Sequence, residues 1–431
     1  MTQARASWAL AAWMALLGSL SACSSTPDRS PAVPSFAERL RRGSLVTVEK
    51  NRDGHWVLLV DGAPYFVRGM VYQISKVGQS PEEGFRWVDW AYHDEDRNGL
   101  SDGPYGAWVD ANRNNRQDED ETPVGDFQLL REMGANTIRW YHHASAGWIP
   151  NKHLLRDLYF TYGIRTAVGD FLGAKTIGSG ASWEQGTDYR NPLQRQRMLE
   201  SVKKMVAEHQ DEPYLLLWLL GYENNWYRSR TNAAQYPEDY AKFVNEAAAL
   251  IHHLDGRHPV ALVNGDMGFL QEYARWTPEV DIFGANAFRG PDGFGVLWDG
   301  VRRVYDKPVL ITEYGGVYAS GADEEAQAAY HEGCWLDIVK HRAGGEGEGN
   351  SIGAFAAEWL DRWWAAGDPY RHAPIGSLNR LKPEQSEDSW ETEHTGFCAQ
   401  GDGRFSPFLR QLRKVYRVYQ LELWVAGSPG S

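Results

Sequence analysis

Residues 215–220 read LLLWLL, five leucines and a tryptophan with no polar residue among them. The run is far shorter than the roughly 20 apolar residues a membrane-crossing helix needs. It is also too uniformly apolar for a strand with one wet face. Such a stretch is a strand buried on both sides, as in a parallel sheet covered by helices. It runs on as GYENNW to residue 226, so a glycine ends the strand and Glu223 stands where it opens into a loop. About ninety residues later, PVLITEYG (308–315) repeats the layout and ends in Glu313.

Six further segments share this character, a short β-rich run closing on a polar or functional residue. They are residues 64–73, 137–141, 165–171, 259–265, 280–288 and 352–360. Helical spacing of apolar residues fills most of the intervals, as at 126–133, 192–209 and 236–254. Eight strand-then-helix units predict an α/β chain folded as a closed (β/α)8 TIM barrel. In that count the two glutamates fall on strands four and seven. Ahead of the barrel, 46–49 and 56–60 flank the turn signal NRDG and predict a β-hairpin.

The 431 residues suit one barrel with insertions: a catalytic domain over 45–424 and a short tail, 425–431. Residues 1–22 are not expected to belong to the fold. Arg5 precedes an apolar run, 8–20, and LSAC (20–23) resembles a bacterial lipobox, which implies lipidation of Cys23 after removal of the signal peptide. Ser24 in place of Asp favours the outer membrane of the bacterial envelope by the same resemblance. Residues 23–44 are then a lipid-anchored tether. A net charge of −13 argues against nucleic acid as a partner. A monomer is expected. In an exported protein Cys334 and Cys398 can either pair or remain free.

An insertion after strand one, 79–121, is chemically unlike the rest. Asp94, Asp96, Asn98, Leu100 (through its carbonyl) and Asp102 stand at the ligand positions of a calcium loop, with Gly99 at the turn. Asp110, Asn112, Asn114, Arg116 (carbonyl), Asp118 and Glu121 repeat the spacing, and Asn115 can take the left-handed turn. Between residues 94 and 121 nine acids face three arginines, a repulsion that divalent cations relieve. Structural Ca2+ is therefore expected, and no cofactor for catalysis.

Two carboxylates at the C-terminal ends of barrel strands are what retaining glycoside hydrolysis requires, at a separation of roughly 5–5.5 Å. One must be neutral near pH 7 to protonate the departing oxygen, and the other ionised to attack the anomeric carbon. An apolar setting and the charge of Glu313 suit Glu223 to the first role. Strand ends also carry His142 and His143 after strand two, where one can meet a sugar hydroxyl. Asp170, ending strand three, is either a ligand contact or a helix cap. Nineteen tryptophans exceed ordinary packing needs and suit sugar stacking.

The segments YFVRGMVY (65–72), GANTIR (134–139), LWLLGYENN (217–225), ITEYG (311–315) and FAAEWLDRWW (355–364) together resemble clan A glycoside hydrolases, closest to the barrel domain of glycoside hydrolase family 2. The strand-one region also resembles glucan-remodelling transglycosylases. The resemblance implies Glu223 as acid/base, Glu313 as nucleophile, Arg139 as the arginine supporting it and Trp359 as the floor of the sugar subsite. Two positions depart from the pattern. The family usually has Asn before the acid/base, contacting the sugar 2-hydroxyl, and here it is Tyr222. It usually has an aromatic hydroxyl after strand six, and here Phe288 stands there. These imply a different sugar, a substitute such as Asn224 or Asn286, or impaired catalysis. The expected activity is retaining hydrolysis of β-glycosidic bonds in an oligo- or polysaccharide. The alternatives are transglycosylation at the same site, or a catalytically impaired carbohydrate-binding lipoprotein.

Overall fold

The structure is a computed structural model that describes residues 43–72, 76–78, 87–89, 94, 97–142, 152–315, 324–361, 395–401 and 408–425. Cys23, His143 and Asp96 lie outside the described residues. Among the described residues, no helix is long and apolar enough to cross a membrane.

Eight parallel strands close into a barrel: Val67–Val71, Thr137–Trp140, Arg165–Asp170, Leu215–Leu220, Val260–Gly265, Ile282–Asn286, Val309–Tyr314 and Ser351–Ala356. Each is followed by a helix, the last being the short Lys414–Val418. The eight segments expected from sequence are these eight strands. Leu216, Leu217 and Leu219 point into the barrel interior, while Leu215, Trp218 and Leu220 pack outward under the helices. Both faces of that strand are buried, as the leucine run demands. Trp218 keeps its indole N–H satisfied by donating to Asp255 Oδ2 at 2.8 Å.

The hairpin Val46–Lys50 with Trp56–Val60 is present and pairs in antiparallel register. Val46, Leu58 and Val60 join the interior cluster with Val67, Ile352 and Phe355, so the hairpin plugs the N-terminal end of the barrel. This leaves the C-terminal end, where barrel enzymes place their chemistry.

The insertion is stitched to the far end of the chain. Trp108–Val109 pairs in parallel with Leu409–Leu412, and Arg410 makes a two-pronged salt bridge to Asp126 at 2.7 and 2.9 Å, with both side chains buried. Cys334 and Cys398 are free buried thiols, which settles the disulfide question against pairing. Burial raises both above the usual thiol range, Cys334 to about 12.

Candidate active site

The loop after strand four is held from both sides. Gly221 turns the chain at φ 94°, and Glu223 itself sits at φ 53°, a left-handed conformation that is rare for a residue with a side chain. Asn224 and Asn225 hold it there. The Asn224 amide donates to the carbonyls of Phe171 and Leu172 and to Tyr189 Oη, while its oxygen accepts from the Tyr222 N–H. Asn225 exchanges two hydrogen bonds with the backbone of Gly265. One asparagine thus pins the loop to strand three and the next pins it to strand five. The strain at Glu223 persists because its neighbours over-determine the backbone.

Glu313 belongs to strand seven and is 4% exposed. Arg139 Nη1, from strand two, donates to Glu313 Oε1 at 2.7 Å and to the Thr312 carbonyl at 2.7 Å. Tyr141 Oη donates to the same Oε1 at 2.8 Å. Strand six shifts register between Ala285 and Asn286, a bulge that sets Asn286 beside Glu313. The Asn286 oxygen accepts from Arg139 Nη1 at 3.3 Å and Thr312 Oγ1 at 2.8 Å, so its amide nitrogen must face the other way. It donates to Glu223 Oε1 at 2.8 Å. The two carboxyls are thereby linked through one amide and one guanidinium.

Their environments differ. Burial pushes Glu223 up from the usual carboxylate range to about 7, and the charge of Glu313 adds to this against the opposing pull of Asn286, Arg139 and Lys175. Glu313 has the salt bridge. A carboxyl ready to give a proton at neutral pH beside an ion-paired carboxylate can carry out acid-assisted displacement.

Several residues expected in the site are turned elsewhere. Asn224 is fully buried and its amide is spent on the loop, so it does not face a ligand. Asp170 is also fully buried: it accepts from the Leu172 N–H at 2.8 Å and from Ser201 Oγ at 2.5 Å, tying strand three to the helix Pro192–His209. It is turned to these structural bonds and not to a ligand, and it is not the cap of that helix either, since Asn191 caps it. Trp359 packs in the outer aromatic layer against Tyr416, 6.1 Å away, instead of flooring the barrel; Ala357 occupies the interior position. His142 accepts the Phe171 N–H on Nδ1, so its proton is on Nε2 and its work is to hold that turn. Tyr222 is half-buried and stacks on Phe171, with ring centres 4.7 Å apart. Phe288 is 41% exposed.

Tyr141 and Lys175 were not singled out from sequence. Tyr141 follows strand two by one residue, a position shared with many loop tyrosines. Lys175, whose Nζ lies 4.9 Å from the Tyr222 ring centre, sits in a left-handed turn that no motif announces.

In the insertion, Asp110 accepts the N–H groups of Asn114 and Asn115, and Glu121 accepts those of Ala111 and Asp118. Asn112 and Asn114 both donate to Asp118 Oδ2. Asn115 is left-handed at φ 63°. In the first loop Asp94 accepts the N–H groups of Asn98 and Gly99, and the Asn98 oxygen accepts that of Leu100. Asp102 opens a helical turn, Asp102–Gly106. Among the described residues no three His, Cys, Asp or Glu side chains converge to hold a metal ion. The oxygen-rich composition nonetheless suits a hard cation.

The chain has no match among curated proteins. Its fold is shared with a β-D-glucuronidase from Dictyoglomus thermophilum, at 16% identity and a TM-score of 0.53, covering 88% of this chain and 53% of that one. A GH2 β-galacturonidase from Eisenbergiella tayi aligns at 14% identity and a TM-score of 0.51, covering 88% and 53%. The chain therefore spans about half the length of these structures. The family model described as "Glycosyl hydrolases family 2, TIM barrel domain" matches residues 110–334, more than half of the chain. With both glutamates inside that match, at the open end of a closed eight-stranded barrel, the chain belongs to glycosyl hydrolase family 2.

Proposed function

We propose that this protein is a retaining β-glycosidase acting on an oligo- or polysaccharide by double displacement. The observation that carries the reading is the asymmetry of the pair: Glu223 protonated up to about pH 7, linked through Asn286 to an Arg139-bound Glu313. Glu223 gives its proton to the leaving oxygen while Glu313 attacks the anomeric carbon. Once the nucleophile is esterified, its charge no longer raises Glu223, which then takes a proton from water as the ester is cleaved. Because Asn286 donates to Oε1 of Glu223, the transferable proton resides on Oε2. Trp226 and Tyr227, 39% and 58% exposed and just past Glu223, offer stacking faces for further sugar units.

The test is trapping with a panel of activated 2-fluoro glycosides followed by mass spectrometry of the labelled peptide. Label on Glu313 is expected; label elsewhere, or none with any member that turns over, rejects the assignment. Products longer than an oligosaccharide substrate would move the reading to transglycosylation.

Two accompanying readings rest on sequence spacing. The second insertion loop, Asp110 to Glu121, binds Ca2+ structurally. Cys23 carries a lipid that holds the chain at the outer membrane, so Cys23→Ser should release it to the soluble fraction.

A further inference from the structure

We propose that Tyr141 is the positioning residue that decides which oxygen of Glu313 attacks, and that Tyr222 is the buttress that keeps it in place. This rests on the reading of Glu313 as nucleophile. Both donors to that carboxylate, Tyr141 Oη at 2.8 Å and Arg139 Nη1 at 2.7 Å, land on Oε1. Among the described residues no donor reaches Oε2. An oxygen relieved of hydrogen bonds keeps its electron density and is the better nucleophile. The new bond to the anomeric carbon therefore forms at Oε2. The bond from that carbon to the leaving oxygen breaks as the oxygen takes the proton of Glu223. Oε1 becomes the carbonyl oxygen of the glycosyl ester and still accepts from Tyr141 and Arg139.

The phenol is held on several sides. The Arg139 guanidinium lies over its face, 4.5 Å from the ring centre. Tyr222 meets it edge-on at 5.3 Å and 83°, and Phe171 at 6.1 Å and 85°. Tyr222 in turn lies flat on Phe171, at 4.7 Å and 14°. The two departures from the family pattern are thus one change. The hydroxyl absent after strand six, where Phe288 stands, is supplied from strand two. The aromatic ring at 222, where asparagine is usual, is what Tyr141 leans on. A side chain as small as asparagine would leave that edge without its neighbour.

The experiment compares kcat and KM of full-length wild type, Tyr141→Phe, Tyr222→Asn and Tyr222→Phe on the best aryl β-glycoside of the panel. Losing one charge-assisted donor should lower kcat/KM about 10- to 100-fold for Tyr141→Phe with little change in KM. Tyr222→Asn should reproduce this loss, and Tyr222→Phe, which keeps the ring, should recover most of it. Thermal melts check that Tyr222→Asn is folded; Tyr141→Phe, nearly isosteric, carries the test if it is not. A kcat/KM within about twofold of wild type, or a loss that appears in KM with kcat unchanged, overturns the assignment of Tyr141. Equal loss in Tyr222→Phe and Tyr222→Asn overturns the buttress. A wild type silent on every glycoside overturns instead the reading of Glu313 on which both stand.

Discussion

Asn286 donates its side-chain amide to Glu223 Oε1 at 2.8 Å, and its own oxygen is held by Arg139 and Thr312. This contact favours the ionised form of Glu223, against burial and the charge of Glu313, which favour the neutral form. The first step of the proposed mechanism needs the neutral form, so kcat/KM should fall as pH rises through about 7. Removing the donor in Asn286→Ala should shift that basic limb to higher pH. Initial rates across pH 5 to about 9 check it, and a shift to lower pH would refute the role.

The same group links to stability. Its pKa rises from 4.5 unfolded to about 7 folded, so the folded state holds the proton more tightly. The associated stability is complete below about pH 4.5 and is lost as pH rises to about 7. Glu223→Gln, which cannot ionise, should therefore melt at a higher temperature than wild type at pH 8 and show a much smaller difference at pH 4.5. Melting curves of the two proteins at both pH values measure this.

Arg139 and Glu313 form a buried pair at 2.7 Å with side chains almost wholly out of water. Removing one partner strands the other, at a cost of about 3–5 kcal/mol. Arg139→Ala should lower the urea midpoint accordingly, whereas Arg139→Met combined with Glu313→Gln should recover much of the loss while remaining inactive. A double-mutant cycle in urea gives the coupling.

Asp126 and Arg410 tie the first barrel helix to the chain terminus through two buried hydrogen bonds. Arg410→Ala should destabilise by about 3–5 kcal/mol and expose the insertion, because Trp108–Val109 pairs with the strand that carries Arg410. Limited proteolysis should then cut within 97–121 faster than in wild type.

If the insertion holds Ca2+, chelation should lower the melting temperature, and adding Ca2+ back should restore it by mass action on the folded state. Glu121→Gln should blunt the response. Equilibrium dialysis that finds no bound Ca2+, together with a melting temperature indifferent to chelator, would reject the site.

Much of this architecture was readable from local pattern. The leucine run of strand four and the repeat of strand-then-helix segments are period signals, and buried parallel strands leave little alternative. The two glutamates could be picked out because each closes such a strand. The failures lie where side-chain direction matters. Trp359 was placed at the subsite by likeness, yet it packs outward on Tyr416 while Ala357 faces in. Asn224 follows Glu223 but spends its amide on backbone, because a loop forced into a left-handed turn needs its groups satisfied first, and Asp170, ending strand three, spends its carboxylate on the Leu172 N–H and on Ser201. Tyr141 escaped notice because nothing local marks its hydroxyl as reaching a residue 172 positions away.

The sequence by itself determined the strand count, the order of strands and helices, and which two acids end strands four and seven, since these follow from hydrophobic period and chain order alone. Tertiary structure alone decided that Asn286 would join the two acids and that Tyr141 and Arg139 would meet on one oxygen of Glu313. Those outcomes depend on closure of the barrel. Closure brings strands two, six and seven to one rim and removes the water that would otherwise level the two carboxyls.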